Sequence, residues 1–132
     1  MKIIAFRLKP GQDLLEEINT HISSEAIQAA AIFTIVGSLT RANLRLAGAN
    51  ESKLFEGPYE IVSAEGTMGP DGSHIHISVS SADGETVGGH LQKGSLINTT
   101  AEIVLADLSE HWKFKRKKCE VSGYPELHPI EF

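Results

Sequence analysis

The stretch that decides the fold is Ser73-His74-Ile75-His76-Ile77-Ser78-Val79, followed by Ser81-Ala82-Asp83-Gly84-Glu85 and then by Val87-Gly88-Gly89-His90-Leu91. Alternating polar and apolar residues around an Asp-Gly pair predict two antiparallel strands joined by a tight turn. Because successive side chains of a strand point to opposite faces, His74 and His76 share one face. Ile75, Ile77 and Val79 share the other face, so the first strand supplies half of a metal site and a row of core residues.

The turn decides where His90 lies. If residues 82–84 form a hairpin loop with the glycine in the left-handed conformation, Ser81 pairs with Glu85. Counting along both strands then places His90 directly opposite His76, with their Cβ atoms about 4.5–5.5 Å apart. A loop shorter or longer by one residue shifts the register and turns His90 to the other face. The predicted metal site therefore depends on the geometry of this turn.

Three imidazoles on one face of a hairpin are a ligand set that suits zinc, with each nitrogen about 2.0–2.1 Å from the ion. The alternative is that each histidine is an ordinary polar residue of a strand. The matching position of the third histidine, beside the Gly88-Gly89 pair, makes the metal site as good an interpretation as the ordinary one. On the residues alone, His74, His76 and His90 are therefore candidate metal ligands, and both interpretations stay open.

Length and composition indicate one ordinary domain, which we expect to span residues 1–132. An apolar content of 41% and a charged content of 22% are typical of soluble globular proteins. The single cysteine, Cys119, excludes an internal disulfide framework. No signal-peptide pattern and no apolar stretch of about 20 residues is present, so we expect a cytoplasmic protein with no membrane partner.

The charge pattern bears on nucleic-acid binding. The net charge of −5 repels a polyanion over most of the surface. One local exception is the run from Lys113 to Lys118, in which five basic residues surround Phe114. Such a run is more often the solvated end of a strand than a nucleic-acid contact, and we favour the first interpretation.

Hydrophobic periodicity along the chain predicts an α+β protein with one mainly antiparallel, curled sheet of about six or seven strands. One or two helices lie near the N-terminus, at 13–22 and at 23–29. Strands are predicted at 3–8, 30–36, 39–46, 57–68, 73–79, 85–91, 100–108 and 112–115, with a break at Gly37-Ser38 and an irregular tail at 122–129. Because so little helix cannot cover both faces of the sheet, we expect the uncovered face to pack against a second copy.

Several segments together resemble the PPC domain, which is conserved in plants and prokaryotes. They occur in the family's order over essentially the whole chain: Gly37-Ser38-Leu39, Tyr59-Glu60-Ile61-Val62-Ser63, the His-x-His strand, Val87-Gly88-Gly89-His90-Leu91, Thr100-Ala101-Glu102-Ile103-Val104-Leu105 and Ser122-Gly123-Tyr124-Pro125-Glu126-Leu127. The most specific of them is the Val-Gly-Gly-His-Leu segment. The resemblance implies a homotrimer of α+β subunits and, as in some prokaryotic members, a zinc ion on residues that match His74, His76 and His90.

The resemblance also bears on DNA binding. In plants the domain follows AT-hook segments whose Arg-Gly-Arg-Pro cores enter the minor groove, and this chain contains no such core. Stand-alone prokaryotic members are nevertheless often described as DNA-binding. DNA association is thus an expectation that comes from the family and not from a motif.

An enzymatic interpretation is also open, because the fold resembles acetolactate decarboxylase and related zinc proteins with three-histidine sites. A zinc ion with three protein ligands keeps one open position, but catalysis also requires a general acid or base. The candidate carboxylates are Glu60, Glu65, Glu102 and Glu126, and no spacing singles out one of them. The sequence therefore predicts a trimeric, zinc-binding PPC-type domain of undefined cellular role. The alternative is a zinc-dependent hydrolase or lyase acting on a small carbonyl or ester substrate.

Overall fold

Two antiparallel sheets and one helix make up the structure, a computed structural model that describes residues 1–132. The elements are β1 (Lys2–Leu8), α1 (Leu14–Ser24), β2 (Ala30–Arg45), β3 (Ser52–Gly69), β4 (Gly72–Ser80), β5 (Thr86–Leu91), β6 (Leu96–Asp107), β7 (Trp112–Lys118) and β8 (Pro125–Glu131). The first sheet has the strand order β1-β6-β2-β3-β4-β5, and β7 and β8 form the second sheet. The predicted α+β class with a mainly antiparallel sheet is confirmed.

Helix α1 covers one face of the first sheet. Its N-cap is Asp13, whose side chain accepts a hydrogen bond from the Glu16 backbone N–H. The apolar stripe of the helix, Leu14, Ile18 and Ile22, is buried in the core. The predicted helix at 13–22 thus agrees with the structure to within two residues at each end.

The predicted second helix at 23–29 is absent, and that prediction is wrong. Ala26 adopts a positive φ of 52°, which interrupts helical geometry. The backbone N–H of Gln28 then donates to the Ser109 hydroxyl, and the Ile27 side chain enters the core. A turn that leads directly into β2 therefore occupies this segment.

Strand β2 runs without interruption through Gly37-Ser38, where the sequence predicted a break. A Cβ added at Gly37 would lie 2.7 Å from the Ala101 Cα, so the glycine permits close approach of β6 and does not end the strand. Register shifts on either side of Leu39 bend the long strand. This bend carries the end of β2 toward β5.

The curl predicted for the sheet is visible where β5 returns to β2. Strand β5 pairs with β4 along its length, and it also pairs with the end of β2 through Leu44–Leu91 and Arg45–His90. Strands β2, β3, β4 and β5 therefore form a closed ring of pairings. The ring encloses buried side chains that include Leu39, Leu44, Ile75, Ile77, Val79 and Leu91. Each of these contributes about 1.5–3 kcal/mol by leaving water.

The second sheet replaces the irregular tail that the sequence predicted at 122–129. Strand β8 pairs with β7 along its whole length, from Lys118–Pro125 to Trp112–Glu131. Prolines are tolerated in β8 because one edge of a two-stranded sheet needs no partner. The backbone N–H of Phe114 donates to the Gln28 carbonyl before β2, and the backbone N–H of Arg116 donates to Asp71 in the turn between β3 and β4, which places the second sheet beside both segments.

The face of the first sheet opposite α1 is left open. Phe33, Val36 and Val62 are 68%, 55% and 55% exposed, although they lie in long central strands. That this face packs against a copy of the chain stays a prediction. The structure contains no helix with the length and apolar character needed to span a bilayer, and the expected cytoplasmic location also stays a prediction.

Candidate metal centre

The turn of the histidine hairpin, which comprises β4 and β5, has the predicted geometry. The Ser81 N–H donates to the Glu85 carbonyl over 2.8 Å, and the Gly84 N–H donates to the Ser81 carbonyl over 2.9 Å. Gly84 has a φ of +82°, in the left-handed region that favours glycine. The resulting register pairs His76 with His90, as predicted.

The three histidines come together on one face of the hairpin. The Nε2 atoms of His74 and His76 are 3.1 Å apart, and one ring nitrogen from each histidine lies within 4.8 Å of the others. Ligand nitrogens of a tetrahedral zinc ion are separated by about 3.3 Å, as follows from bonds of 2.0–2.1 Å. His74 and His76 already approach this spacing, and the ring nitrogen of His90 lies within 4.8 Å of both. The geometry and chemistry of the donor set therefore fit a metal ion.

Packing on the reverse side of the hairpin fixes the direction of the rings. Ile75 and Ile77 are only 1% and 2% exposed, so β4 cannot rotate without exposing core residues. A Cβ added at Gly89 would lie 2.8 Å from the Arg45 carbonyl oxygen, so glycine is needed where β2 meets β5. The ligand positions are thus determined by the core, although the rings themselves lie at the surface.

The electrostatics of the cluster favour neutral imidazoles. Desolvation, with smaller contributions from the nearby charges of His74 and Arg45, lowers the pKa of His90 to about 4. Desolvation also lowers the pKa of His74, with smaller effects from His76 and Arg116. Since only a neutral imidazole can bind a metal ion, both residues are in the binding form at pH 7.

Two clefts flank the histidines. The first cleft has a volume of about 550 Å³ and contains His76, His90 and Glu65, which lies opposite His76 on β3. The second cleft has a volume of about 560 Å³ and lies between the hairpin and the second sheet; its polar side chains are Arg45, Asp71, Ser73, His74, His90, Arg116, Tyr124 and Glu126. The histidine cluster is therefore open on both sides to molecules of small-ligand size.

The structure separates the four candidate carboxylates. Glu65 lies in the first cleft and Glu126 in the second. Glu60 lines a different pocket, beside Ser81 and Asn98. Glu102 pairs with Arg7 and Val36 in the first sheet, away from the histidines. Of the four, Glu65 and Glu126 thus share a cleft with the histidine cluster.

Asp71, a further carboxylate of the second cleft, already has partners. It accepts a hydrogen bond from the Arg116 backbone N–H over 3.0 Å and an ion-pair contact from Lys115 over 3.3 Å. These interactions, the backbone hydrogen bond first, lower the pKa of Asp71. It therefore joins the second sheet to the turn before β4 and is not free to take a proton.

Sequence reasoning missed two residues of the site, Arg45 and Arg116. The Nη2 atom of Arg45 lies 3.5 Å from Nδ1 of His90, and Nη2 of Arg116 donates to the Thr67 hydroxyl over 3.0 Å. Thr67 is in turn opposite His74. Both arginines depend on contacts between distant segments, β2 with β5 and β7 with β3, and no local pattern signals them.

The basic run of β7 does not form one surface. Since side chains alternate along a strand, Lys113, Lys115 and Lys117 point to one face and Arg116 to the other. Lys115 is paired with Asp71 and Arg116 lies in the second cleft. The run is therefore divided between local structural contacts and solvent.

A sequence model of the Plants and Prokaryotes Conserved (PCC) domain matches residues 1–109. The chain belongs to this family. The resemblance to the PPC domain, which is the same family, is confirmed. The match ends before β7, so Arg116 and the whole second sheet lie beyond the matched residues.

Individual relatives agree with this membership. The chain is 44% identical over 128 residues to the bifunctional protein GlmU of Synechococcus sp. (strain JA-3-3Ab), covering 97% of this chain but only 20% of that protein. A hypothetical protein of Salmonella enterica is 35% identical, with a TM-score of 0.95 and coverage of 98% and 94% of the two chains. A metal-containing protein of Archaeoglobus fulgidus is 26% identical, with a TM-score of 0.78 and coverage of 97% and 94%.

One further solved structure, with lower sequence identity, bears on the question of DNA binding. A protein of Bacteroides thetaiotaomicron whose description proposes DNA binding is 20% identical, with a TM-score of 0.80 and coverage of 97% and 91%. At this identity the likeness shows the fold alone.

Proposed function

We infer that this PPC-family chain is a metal-binding domain that holds one zinc ion on His74, His76 and His90 and assembles as a homotrimer. The observation that carries the metal assignment is the cluster of three ring nitrogens within 4.8 Å on a hairpin fixed by the core. The lowered pKa values of His74 and His90 support it, since they keep these imidazoles neutral. The Archaeoglobus fulgidus relative, described as metal-containing, is consistent with it.

The chemistry of such a centre follows from its ligand count. A zinc ion with three protein ligands retains an open position and, when bound, lowers the pKa of a water to about 7 or polarises a carbonyl oxygen. The chain itself holds the imidazoles in one orientation and exposes them to two clefts. A merely structural zinc would instead be expected to have a fourth protein ligand.

The trimer is proposed from the open face of the first sheet. Phe33, Val36 and Val62 expose apolar side chains on long central strands, and contiguous exposed apolar surface is typical of interfaces. Sedimentation equilibrium of the wild type tests this part of the proposal, with a mass of three chains expected. A mass of one chain at micromolar concentration would remove the trimer but leave the metal site untouched.

A second candidate function is a zinc-dependent hydrolase or lyase for a small carbonyl or ester substrate. It is favoured by Glu65, which lies opposite His76 and inside the first cleft, where a carboxylate can accept or donate a proton. Turnover of small esters and keto acids should disappear on chelation and in Glu65→Gln. Turnover that survives chelation would exclude this candidate.

DNA association is not part of the proposal. The net charge is −5, and the basic residues of β7 are divided between two faces. The expectation from the family therefore stays a prediction. Binding of duplex DNA at about 50 mM salt, where phosphate contacts are strongest, would revive it.

Metal analysis tests the main proposal. Purified wild-type protein dialysed against zinc should retain one ion per chain, and His76→Ala should retain none. The matched control is His111→Ala, because His111 is an exposed histidine outside the cluster. Equal zinc content in wild type and His76→Ala would exclude the three-histidine site.

A further inference from the structure

Two arginines approach the histidine cluster from different elements. Arg45 lies at the end of β2, opposite His90, and Arg116 lies on β7, where it donates to Thr67. Both line the second cleft together with His74 and His90. The second cleft therefore brings two guanidinium groups and two of the proposed metal ligands to one cavity of about 560 Å³.

Neither guanidinium has an anionic partner in the protein. The ion pairs of the chain involve the N-terminus, Lys93, His111 and Lys115, and none includes Arg45 or Arg116. A guanidinium offers five N–H donors, yet Arg45 and Arg116 each use only Nη2 in hydrogen bonds to the protein. Both arginines are half-buried, so their unpaired charges favour an oxyanion from solution.

Acidic residues of the same cleft do not satisfy these charges. Asp71 accepts its hydrogen bonds from the backbone of Arg116 and from Lys115. Glu126 is exposed and accepts a hydrogen bond from Ser122. The formal charges of Arg45 and Arg116 are balanced by those of Asp71 and Glu126, so a bound metal ion would make the cleft positive.

A metal ion on His90 would release Arg45. The Arg45 contact to His90 requires a free lone pair on Nδ1 of the ring. If Nδ1 bound the metal, that lone pair would be occupied; if Nε2 bound it, Nδ1 would carry the proton and could not accept. In either case the Arg45 guanidinium would lose this partner, and its donors would be free for another ligand of the cleft.

We propose that the second cleft binds a small oxyanion, a carboxylate or a phosphate, at the metal centre, with Arg45 and Arg116 as its recognition residues. The planar guanidinium fork matches both groups. This inference rests on the proposed function, because it places the anion at the open position of a metal held by His74, His76 and His90. To the proposed function it adds the chemical class of the ligand, and it gives Arg116 of the second sheet a role in recognising that ligand.

Isothermal titration of zinc-loaded protein tests the proposal. Zinc content is measured first, then acetate and succinate are titrated as the carboxylate arm and inorganic phosphate as the phosphate arm, and zinc content is measured again. Wild type should bind the carboxylates, phosphate or both, and the anion with the higher affinity identifies the ligand class. Arg45→Gln and Arg116→Gln should each weaken binding by about tenfold or more with unchanged zinc content. Arg7→Gln is the control, since Arg7 donates to Thr99 and Thr100 on β6.

The outcomes separate this inference from the function on which it rests. Protein that retains no zinc overturns both. If zinc-loaded wild type binds neither carboxylate nor phosphate, the oxyanion site is excluded and the zinc site is not. The same holds if wild type and both arginine variants bind the anion equally well. If one arginine variant does not fold, the other decides the question by itself. Metal-free wild type should bind the anion more weakly than zinc-loaded protein.

Discussion

The histidine hairpin and the second sheet are both antiparallel strand pairs, but they are held in opposite ways. In the hairpin, Ile75, Ile77 and Val79 are at most 2% exposed and belong to the main core. No residue of β7 or β8 is fully buried, and the pair is held by hydrogen bonds such as that from Phe114 to Gln28. The comparison teaches that the three histidines proposed as metal ligands are fixed by packing, whereas Arg116, the proposed recognition residue, is held by a few polar contacts.

The largest expected effect comes from removing core packing behind the hairpin. Ile77→Ala should lower the free energy of unfolding of the zinc-free protein by about 2–5 kcal/mol, because it leaves a cavity. The matched change in the second sheet, Leu127→Ala, removes a half-exposed side chain and should cost about 1 kcal/mol or less. Urea unfolding of both variants measures the difference. Equal costs would show that the two strand pairs are held alike.

Metal removal should also affect the hairpin strongly. Zinc at a free concentration of a hundred times its Kd adds about 2.7 kcal/mol to the free energy of unfolding, because it binds only the folded chain. A chelator should therefore lower the Tm of wild type and leave that of His76→Ala unchanged. A similar decrease in both proteins would mean that the ion binds elsewhere.

Acid should destabilise the zinc-free hairpin through His90. The pKa of His90 is lowered to about 4 in the folded state, against about 6.5 in the unfolded chain, so the unfolded chain binds more protons between these values. Stability is then fully present above pH 6.5 and decreases as the pH falls toward 4. His90→Gln should show a shallower decrease over this range, as measured by urea unfolding at several pH values. An unchanged slope would contradict the assignment.

The smallest effect is expected where the second sheet meets the turn before β4. Lys115→Ala removes the ion pair with Asp71, and because the two side chains are 41% and 31% exposed, water and salt screen this pair and its contribution to stability is small. The Tm should change little and the zinc content not at all. A loss of zinc in this variant would show that the second sheet also supports the metal ligands.

Much of the hairpin could be predicted because its determinants are local. Gly84 favours a turn at residues 82–84, and alternation specifies the faces, so the positions of His74, His76 and His90 follow from counting once that turn forms. The fold class could be predicted for the same reason, from strands that alternate and one amphipathic helix.

The second sheet and the arginines could not be predicted from local patterns. Pro125 and Pro129 give the tail an irregular composition, yet pairing with β7 makes it a strand. The contact between Arg45 and His90 depends on β5 reaching the end of β2, across 45 residues of chain. The second helix failed for a tertiary reason, since Ile27 leaves helical geometry to enter the core.

The ring formed by β2, β3, β4 and β5 is closed between β2 and β5 by two residue pairs, Leu44–Leu91 and Arg45–His90. An ion bound by His90 and by both histidines of β4 would lie beside these two residue pairs and would hold β5 against β4 and β2. The main-chain amide hydrogens of Arg45 and Leu91 should then exchange with solvent more slowly in the metal-bound protein than in the metal-free protein. The concentration of available metal would therefore determine how often β5 separates from β2, and the metal site would also control this local opening of the fold.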